Sequence, residues 1–366
     1  MRLRGWRTWR RLAGWVAAVA VLTVALAIVL SADVRFVLRG AYEQGRLMLR
    51  RRPLTEALAD STLPEAWREN IRLVIEARTY ADTALGLAPG SSFTTFAEVG
   101  RDTLVLVLSA APKHSLEPHR WWFPIVGAVP YHGYFSLARA EAAARDFAAR
   151  GFDTSLRPAA AFSTLGWFKD PLLSTTVGGH RAAVVETVIH EMTHTTLYVP
   201  GATPFDESLA NLVGHRGAEA FFRAIGDSAA AAWVTGVWRD EIRLGAFYGA
   251  LVDSLRVAYA QGPSGSALDS VRAHHYGRAR ERLAGNLEGT LERYDGGRLA
   301  ARTLNNATVV ATTIYRTRLD RFEGLYQQAG GSVRRVMELM GAGIEARGHR
   351  DPFAVLDSLI GVITPP

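Results

Sequence analysis

At 366 residues, with 48% hydrophobic and 21% charged side chains, the chain can bury one large core or two modest ones, and its composition is that of an ordinary globular protein. The formal charge of +7 does not describe a nucleic-acid-binding face, because residues 1–52 hold eleven arginines against Asp33 and Glu43 and the remainder is close to neutral. The lack of cysteine excludes a disulfide framework, a thiolate metal site, a cysteine nucleophile and a lipidated cysteine.

Residues 1–11 form a basic tail with Arg2, Arg4, Arg7, Arg10 and Arg11, and an uncharged apolar run follows from Leu12 to Ala32. About twenty such residues span a bilayer as a helix. A cleaved signal peptide has a shorter apolar region, about 7–15 residues, and small residues at alternate positions before the cut. Here Leu30 stands where the second small residue is wanted, so residues 12–32 read as a retained signal anchor, a single transmembrane helix in contact with membrane lipid. Charge does not orient it: Arg35, Arg39, Arg46, Arg50, Arg51 and Arg52 follow the run as closely as the first five arginines precede it. They suit anionic headgroups.

From Val34 to Arg52, Val34, Leu38, Tyr42 and Leu49 recur at helical spacing among arginines until Pro53, which predicts an amphipathic helix. Leu54–Leu87 is again helical, with a break at Pro64 and an end at Pro89 and Gly90. Thr103–Ser109 is short and continuously apolar, the pattern of a buried strand. Ser115–Phe135, dense in aromatics, Pro and Gly, predicts short strands and turns packed on the core. An alternative has Tyr131, His132 or Tyr134 reaching a cleft. Ser136–Arg150 reads as an Ala-rich helix ended by Gly151, and Leu156–Thr164 as a strand running into a turn-rich Gly166–Pro171.

After residue 228 the chain reads as helical to its end. Ala229–Gln261 and Ala267–Tyr294 are long helical patterns split by Gly262, Pro263, Ser264 and Gly265, a helical hairpin, and further helices are expected in Thr303–Ala329, Ser332–Ala346 and Pro352–Val362. Residues 33–366 are expected to form one catalytic domain, with residues 33–227 carrying the site and 228–366 forming a helical lobe.

The chemistry is concentrated in Val184–Gly214. His190, Glu191 and His194 spell H-E-x-x-H, and on a helix two histidines four apart lie on one face, one turn above the other. Gly178 and Gly179 before the stretch, Pro200 and Gly201 after it, and the apolar Ala182, Val185, Val188 and Ile189 support the helix. Glu191, about 100° round from His190, suits a general base that takes a proton from a water activated by a metal. A catalytic zinc usually keeps three protein ligands. Glu207 is the third candidate, in the first turn of a second helix with Thr203 as N-cap and Pro204 at the first helical position. Asp206 is either a partner for a ligand histidine or a helix-capping residue. His114, His119, His180, His215, His274, His275 and His349 read as solvated or core-satisfied side chains.

Several blocks resemble the bacterial predicted aminopeptidases of the zincin type: AYEQGRLMLRRRP (Ala41–Pro53), SLEPHRWWFPIVGAVPYHGYF (Ser115–Phe135), AFSTLGWFKDPLL (Ala161–Leu173), IHEMTH (Ile189–His194), FDESLA (Phe205–Ala210) and LNNA (Leu304–Ala307). The resemblance implies a zinc-dependent peptidase, in which His190, His194 and Glu207 resemble the ligands of one Zn2+ ion and Glu191 the base. It also implies a strand near Phe162–Trp167 beside the cleft. Relatives are commonly exported and membrane-attached, which would place the catalytic part outside the cytoplasmic membrane. Two departures stand out: Asp206 occupies a position usually Asn, and the lipid-bearing cysteine of many relatives is missing, so attachment would rest on Leu12–Ala32.

The expectation is thus an α+β, zincin-like metallopeptidase acting on peptides, with a small sheet over the active-site helix, a helical C-terminal lobe and one N-terminal transmembrane helix. The alternatives are a metal- or peptide-binding envelope scaffold without turnover, and a zinc endopeptidase or amidase. An aminopeptidase also needs an acidic group for the substrate amine, for which Glu117, Asp170 and Asp206 are candidates, and an oxyanion donor, for which Tyr131, Tyr134 and Tyr198 are candidates.

Overall fold

The computed structural model describes residues 15–16, 32–100, 105–123, 127–159, 171–348 and 350–362. Apart from Trp15, Val16 and Ala32, the expected anchor lies outside these residues, and no helix among them is long and apolar enough to cross a membrane. The described chain is α+β, mostly helical, with three small sheets.

Helix α1 (Ala32–Arg50) stops ahead of Pro53, which disfavours helix in the residue before it. Arg52–Pro53 becomes β1 and pairs antiparallel with β2 (Thr95–Ala97), which in turn pairs parallel with Leu172–Leu173. Pro64, in extended backbone, divides the helical run after Leu54 into α2 (Leu54–Ala59) and α3 (Glu65–Thr83).

In the second sheet β3 (Val105–Pro112) lies between β6 (His132–Tyr134) and β7 (Phe152–Ala159), antiparallel to both. The register runs from Val105 opposite Ala159 to Pro112 opposite Phe152. This pairing carries β3 past Ser109 and starts β7 directly after Gly151, ahead of the expected Leu156, because cross-strand partners rather than apolar runs set strand length. Residues 103, 104 and 160–170, including the expected cleft strand at Phe162–Trp167, lie outside the described residues. The short strands expected in Ser115–Phe135 are the hairpin of β4 (Trp121–Phe123) and β5 (Gly127–Val129) together with β6. Helix α4 (Leu137–Ala149) follows as expected.

The helical hairpin of the C-terminal half is α7 (Ser228–Ala260) against α8 (Gly265–Ala284), packed through Leu251, Leu255, Tyr276 and Leu283. The helix expected to reach Tyr294 ends ten residues earlier. Asn286, Leu287 and Glu288 take left-handed backbone, and the returning chain is drawn onto α7 by the buried carboxylate of Asp240. Thr303–Ala329 is also two helices, α9 (Asn306–Thr313) and α10 (Leu319–Gln328), with left-handed Arg318 between them. The chain closes with α11 (Val333–Ala346) and α12 (Pro352–Val362).

The largest core surrounds the helix that carries H-E-x-x-H. Val184, Val185, Val188 and Ile189 share one buried cluster with Ile71 and Val74 of α3, Phe205 and Phe222 of the next helix, and Phe322, Val336 and Leu356 from the C-terminal end. At roughly 1.5–3 kcal/mol for each fully buried large apolar side chain, this packing fixes the helix far more firmly than its intrinsic propensity could.

Candidate active site

Helix α5 (Arg181–Thr196) and helix α6 (Thr203–Ala224) carry the candidate residues. Asn70 of α3 fixes where α5 begins, donating from Nδ2 to the carbonyls of Val177 (2.8 Å) and Gly179 (3.2 Å). His180 caps the helix through Nδ1, which accepts from the Ala182 amide, and its ring stacks on Trp233 at 4.1 Å. The apolar positions of α5 are buried, so its polar residues Glu186, His190, Glu191 and His194 share the remaining, half-buried strip.

Gly201, with φ 83°, turns the chain back into α6. Thr203 is the first residue of that helix and not its cap: the cap position is Ala202, with no side-chain bond, while Pro204 does fall in the first turn. Asp206 stabilises the turn by another route, its Oδ1 accepting from the Val199 amide at 2.9 Å. Two glycines let α6 lie close on α5. A Cβ at Gly214 would stand 2.8 Å from Glu186 Oε1 and 3.1 Å from His190 Cβ, and one at Gly217 would stand 2.9 Å from Ile189 Cγ2.

That close crossing brings Glu207 onto the histidines. His190 Nε2 is 3.3 Å from Glu207 Oε2 and 3.3 Å from His194 Nε2, and His194 Nε2 is 3.7 Å from Glu207 Oε2. Three ligand atoms held about 2.0–2.1 Å from a tetrahedral ion stand about 3.4 Å apart. The triangle therefore has the dimensions of one face of such a site, and these three residues form the group among the described residues that could hold a metal ion.

Charge is concentrated here. Burial alone would lower the His190 pKa, but its hydrogen bond to Glu207 and the charges of Glu186, Glu191 and Glu207 outweigh that and raise it to about 9. Burial would raise Glu207, yet its bonds to His190 and His194 hold it at about 2. Burial pushes Asp206 up to about 7, against the bond from Val199 and the charge of His194. Two buried atoms, His194 Nδ1 and Asp206 Oδ2, have no hydrogen-bond partner among the described residues.

Three tyrosines lie close enough to the carboxylates to feel their charge. Tyr131 is pushed up to about 12, by burial first and then by Tyr315 and Glu207. Tyr198 is raised by burial, then by Asp206 and Glu207. Tyr315 is raised by burial and Glu207, with Glu191 contributing, and the Arg157 guanidinium lies 5.7 Å from its ring centre. Tyr134 instead has its ring 4.6 Å from that of His132, within the aromatic cluster over β3, and buried His132 donates from Nδ1 to the Gly133 carbonyl. Of the acidic candidates for holding an amine, Glu117 is exposed on a loop, Asp206 is engaged by Val199, and Asp170 lies outside the described residues.

The sequence reading missed Tyr315, Glu186 and the place of His215. Tyr315 is held beside α6 because Asn211 Nδ2 donates to its carbonyl at 3.0 Å and the Thr317 amide donates to Ser208 Oγ at 3.0 Å. The available signal was the pair Ser208 and Asn211, polar residues three apart that are buried among the apolar Phe205, Leu209, Leu212 and Val213 and therefore need buried partners.

A family model described as putative aminopeptidase matches residues 35–346. No curated protein and no solved structure matches the chain.

Proposed function

The chain belongs to the putative aminopeptidase family, and from that premise we propose that it is a zinc-dependent peptidase, held by Leu12–Ala32 in the cytoplasmic membrane with its catalytic domain outside. The supporting observation is the triangle of His190 Nε2, His194 Nε2 and Glu207 Oε2, with edges of 3.3, 3.3 and 3.7 Å. Two imidazoles and one carboxylate, half-buried and reached from solvent, are the donor set of a catalytic zinc with a fourth position open. Zinc bound there would polarise the scissile carbonyl and acidify the attacking water.

The rest of the chemistry falls to the chain's own side chains. Glu191, next to His190 on α5, takes the proton as the water oxygen bonds to the carbonyl carbon, and delivers it to the amine nitrogen as the C–N bond breaks. Tyr131, Tyr198 and Tyr315, all with raised pKa values, remain protonated at neutral pH and can donate to the carbonyl oxygen as it gains charge.

The test is zinc content together with cleavage of N-terminally free and N-blocked peptide libraries by wild type and Glu191→Gln. Both proteins should hold one zinc, free peptides should be preferred, and the variant should be slower by about 10²–10⁴-fold. Equal turnover by the two proteins removes Glu191 as base. Equal cleavage of free and blocked peptides would leave an endopeptidase or amidase, and zinc-free wild type would leave the scaffold reading.

A further inference from the structure

We infer that Glu186 is a positioning residue for the metal site: its carboxylate, set between His190 and His215 of α6, holds the His190 ring through Nδ1 so that Nε2 faces the metal. The inference rests on the metal reading above and goes beyond it, since Glu186 lies outside the H-E-x-x-H motif and contributes no ligand atom.

Glu186 stands one helical turn before His190 on the same face of α5, with Oε1 3.8 Å from His190 Nδ1 and 3.7 Å from His215 Nδ1. Because His190 Nε2 is the nitrogen turned toward Glu207 and His194, Nδ1 must carry the proton when Nε2 gives its lone pair to an ion, and that proton needs an acceptor. At 3.8 Å the contact is an ion-pair distance rather than a hydrogen bond, and such contacts commonly tighten when a site is loaded.

Three features reserve this carboxylate for the imidazoles. Among the described residues, the nitrogen-bearing side chains within 4.0 Å of it in ion-pair contact are His190 and His215, so no guanidinium competes despite the arginine-rich sequence. The α6 backbone closes in at Gly214, where a Cβ would stand 2.8 Å from Oε1. Thr187 Oγ1 donates to the other oxygen, Oε2, at 3.5 Å.

His215 is itself fixed, donating from Nδ1 to the Asn211 carbonyl at 2.9 Å and lying 5.4 Å from the Trp238 ring. Beyond His215 lies Glu241, which pairs with Arg316 at 2.7 Å and accepts from the Tyr294 hydroxyl at 2.7 Å. Polar and charged groups thus follow one another from a ligand histidine toward the C-terminal half. The Glu186 contact is confined to His190: His194 Nδ1 has no hydrogen-bond partner among the described residues.

The experiment measures zinc affinity of the full chain by competition with a chelator, for wild type, Glu186→Gln, Glu186→Asp and Glu186→Ala. The visible spectrum of the cobalt-loaded proteins and the thermal midpoints of the chelator-treated ones are recorded alongside. Zinc should bind about 10-fold more weakly in Glu186→Gln and up to about 100-fold more weakly in Glu186→Ala. Glu186→Asp should recover part of the loss, the cobalt spectrum should change, and the chelator-treated midpoints of wild type and Glu186→Gln should agree. If Glu186→Ala does not fold, Glu186→Gln, which keeps the volume, carries the test. Wild-type affinity in Glu186→Gln with an unchanged cobalt spectrum overturns the inference while leaving the metal site standing. A wild type that takes up no zinc overturns both.

Discussion

Asp240 and Asp206 are both buried aspartates on helices that border the same core, and they are treated in opposite ways. Asp240, fully buried on α7, accepts from the backbone amides of Glu292 (2.9 and 3.0 Å), Arg293 (2.7 Å) and Tyr294 (2.9 Å) and pairs with Arg243 at 3.1 Å. Asp206, almost as buried on α6, has one bond, from Val199, and a second oxygen with no partner among the described residues. Desolvation costs both carboxylates, but only Asp240 is fully compensated. The same contrast separates Asp153, gripped by Arg272 at 2.7 and 2.8 Å and by the Asn306 amide at 2.8 Å, from Glu207, whose close partners are two imidazoles. Asp240 and Asp153 are saturated by the fold. The carboxylates beside His190 and His194 are left under-coordinated, the condition in which a cation gains most.

The largest effect should follow from removing the saturated member. Asp240→Ala strands three backbone amides and the loop that they anchor, and the expected loss is about 3–5 kcal/mol in urea unfolding at neutral pH, with zinc binding per folded molecule unaltered. A loss of under about 1 kcal/mol would mean that the loop does not depend on this clamp.

A smaller effect, of about 1–3 kcal/mol, is expected from Gly214→Ala, whose new Cβ meets Glu186 Oε1, the Glu186 carbonyl and His190 Cβ at 2.8–3.1 Å. Here function should suffer with stability. As α6 moves off α5, Glu207 withdraws from the histidines, and zinc affinity should fall in the same chelator competition. Unchanged affinity would show that Glu207 is positioned by something other than this crossing.

These two positions also mark what could and could not be seen in the sequence. The H-E-x-x-H helix and the helix bearing Glu207 were legible because both rest on local rules: histidines four apart, apolar residues at helical spacing, glycine and proline at the turns. That Glu207 would reach the histidines was an inference from a short connection, and the crossing that achieves it depends on Gly214 and Gly217, whose meaning lies in what they touch. Tyr315, 108 residues beyond Glu207, is held beside α6 by Asn211 and Ser208, whose spacing signals a need for buried partners but does not say which distant loop supplies them. Helix ends were misplaced where a distant group overrode local preference, as when Asp240 turned the chain after Ala284, or where a non-glycine residue adopted left-handed backbone, as at Arg318.

The smallest effect, and the sharpest on the comparison, concerns Asp206→Asn in protein stripped of metal by a chelator. The folded pKa of Asp206 is raised from 3.8 to about 7, so its favourable contribution is fully present below about pH 4 and is lost as pH rises toward 7. His190, raised from 6.5 to about 9, contributes stability that is complete below pH 6.5 and is lost as pH rises through 9. Glu207, depressed from 4.5 to about 2, contributes stability present above pH 4.5 and lost as pH falls through 2. The asparagine variant removes only the first of these, so the difference between variant and wild type should be near zero at pH 4 and grow to about 1–2 kcal/mol in favour of the variant by pH 7–8. That range lies below the upper limit of about 4 kcal/mol for a three-unit shift at 1.36 kcal/mol per unit, because the site relaxes around the charge. Urea unfolding of both proteins across pH 4–8 measures it. A difference that does not vary with pH would show that Asp206 is as well satisfied as Asp240, and the contrast between scaffold and site carboxylates would fail at the residue where it is drawn most strongly.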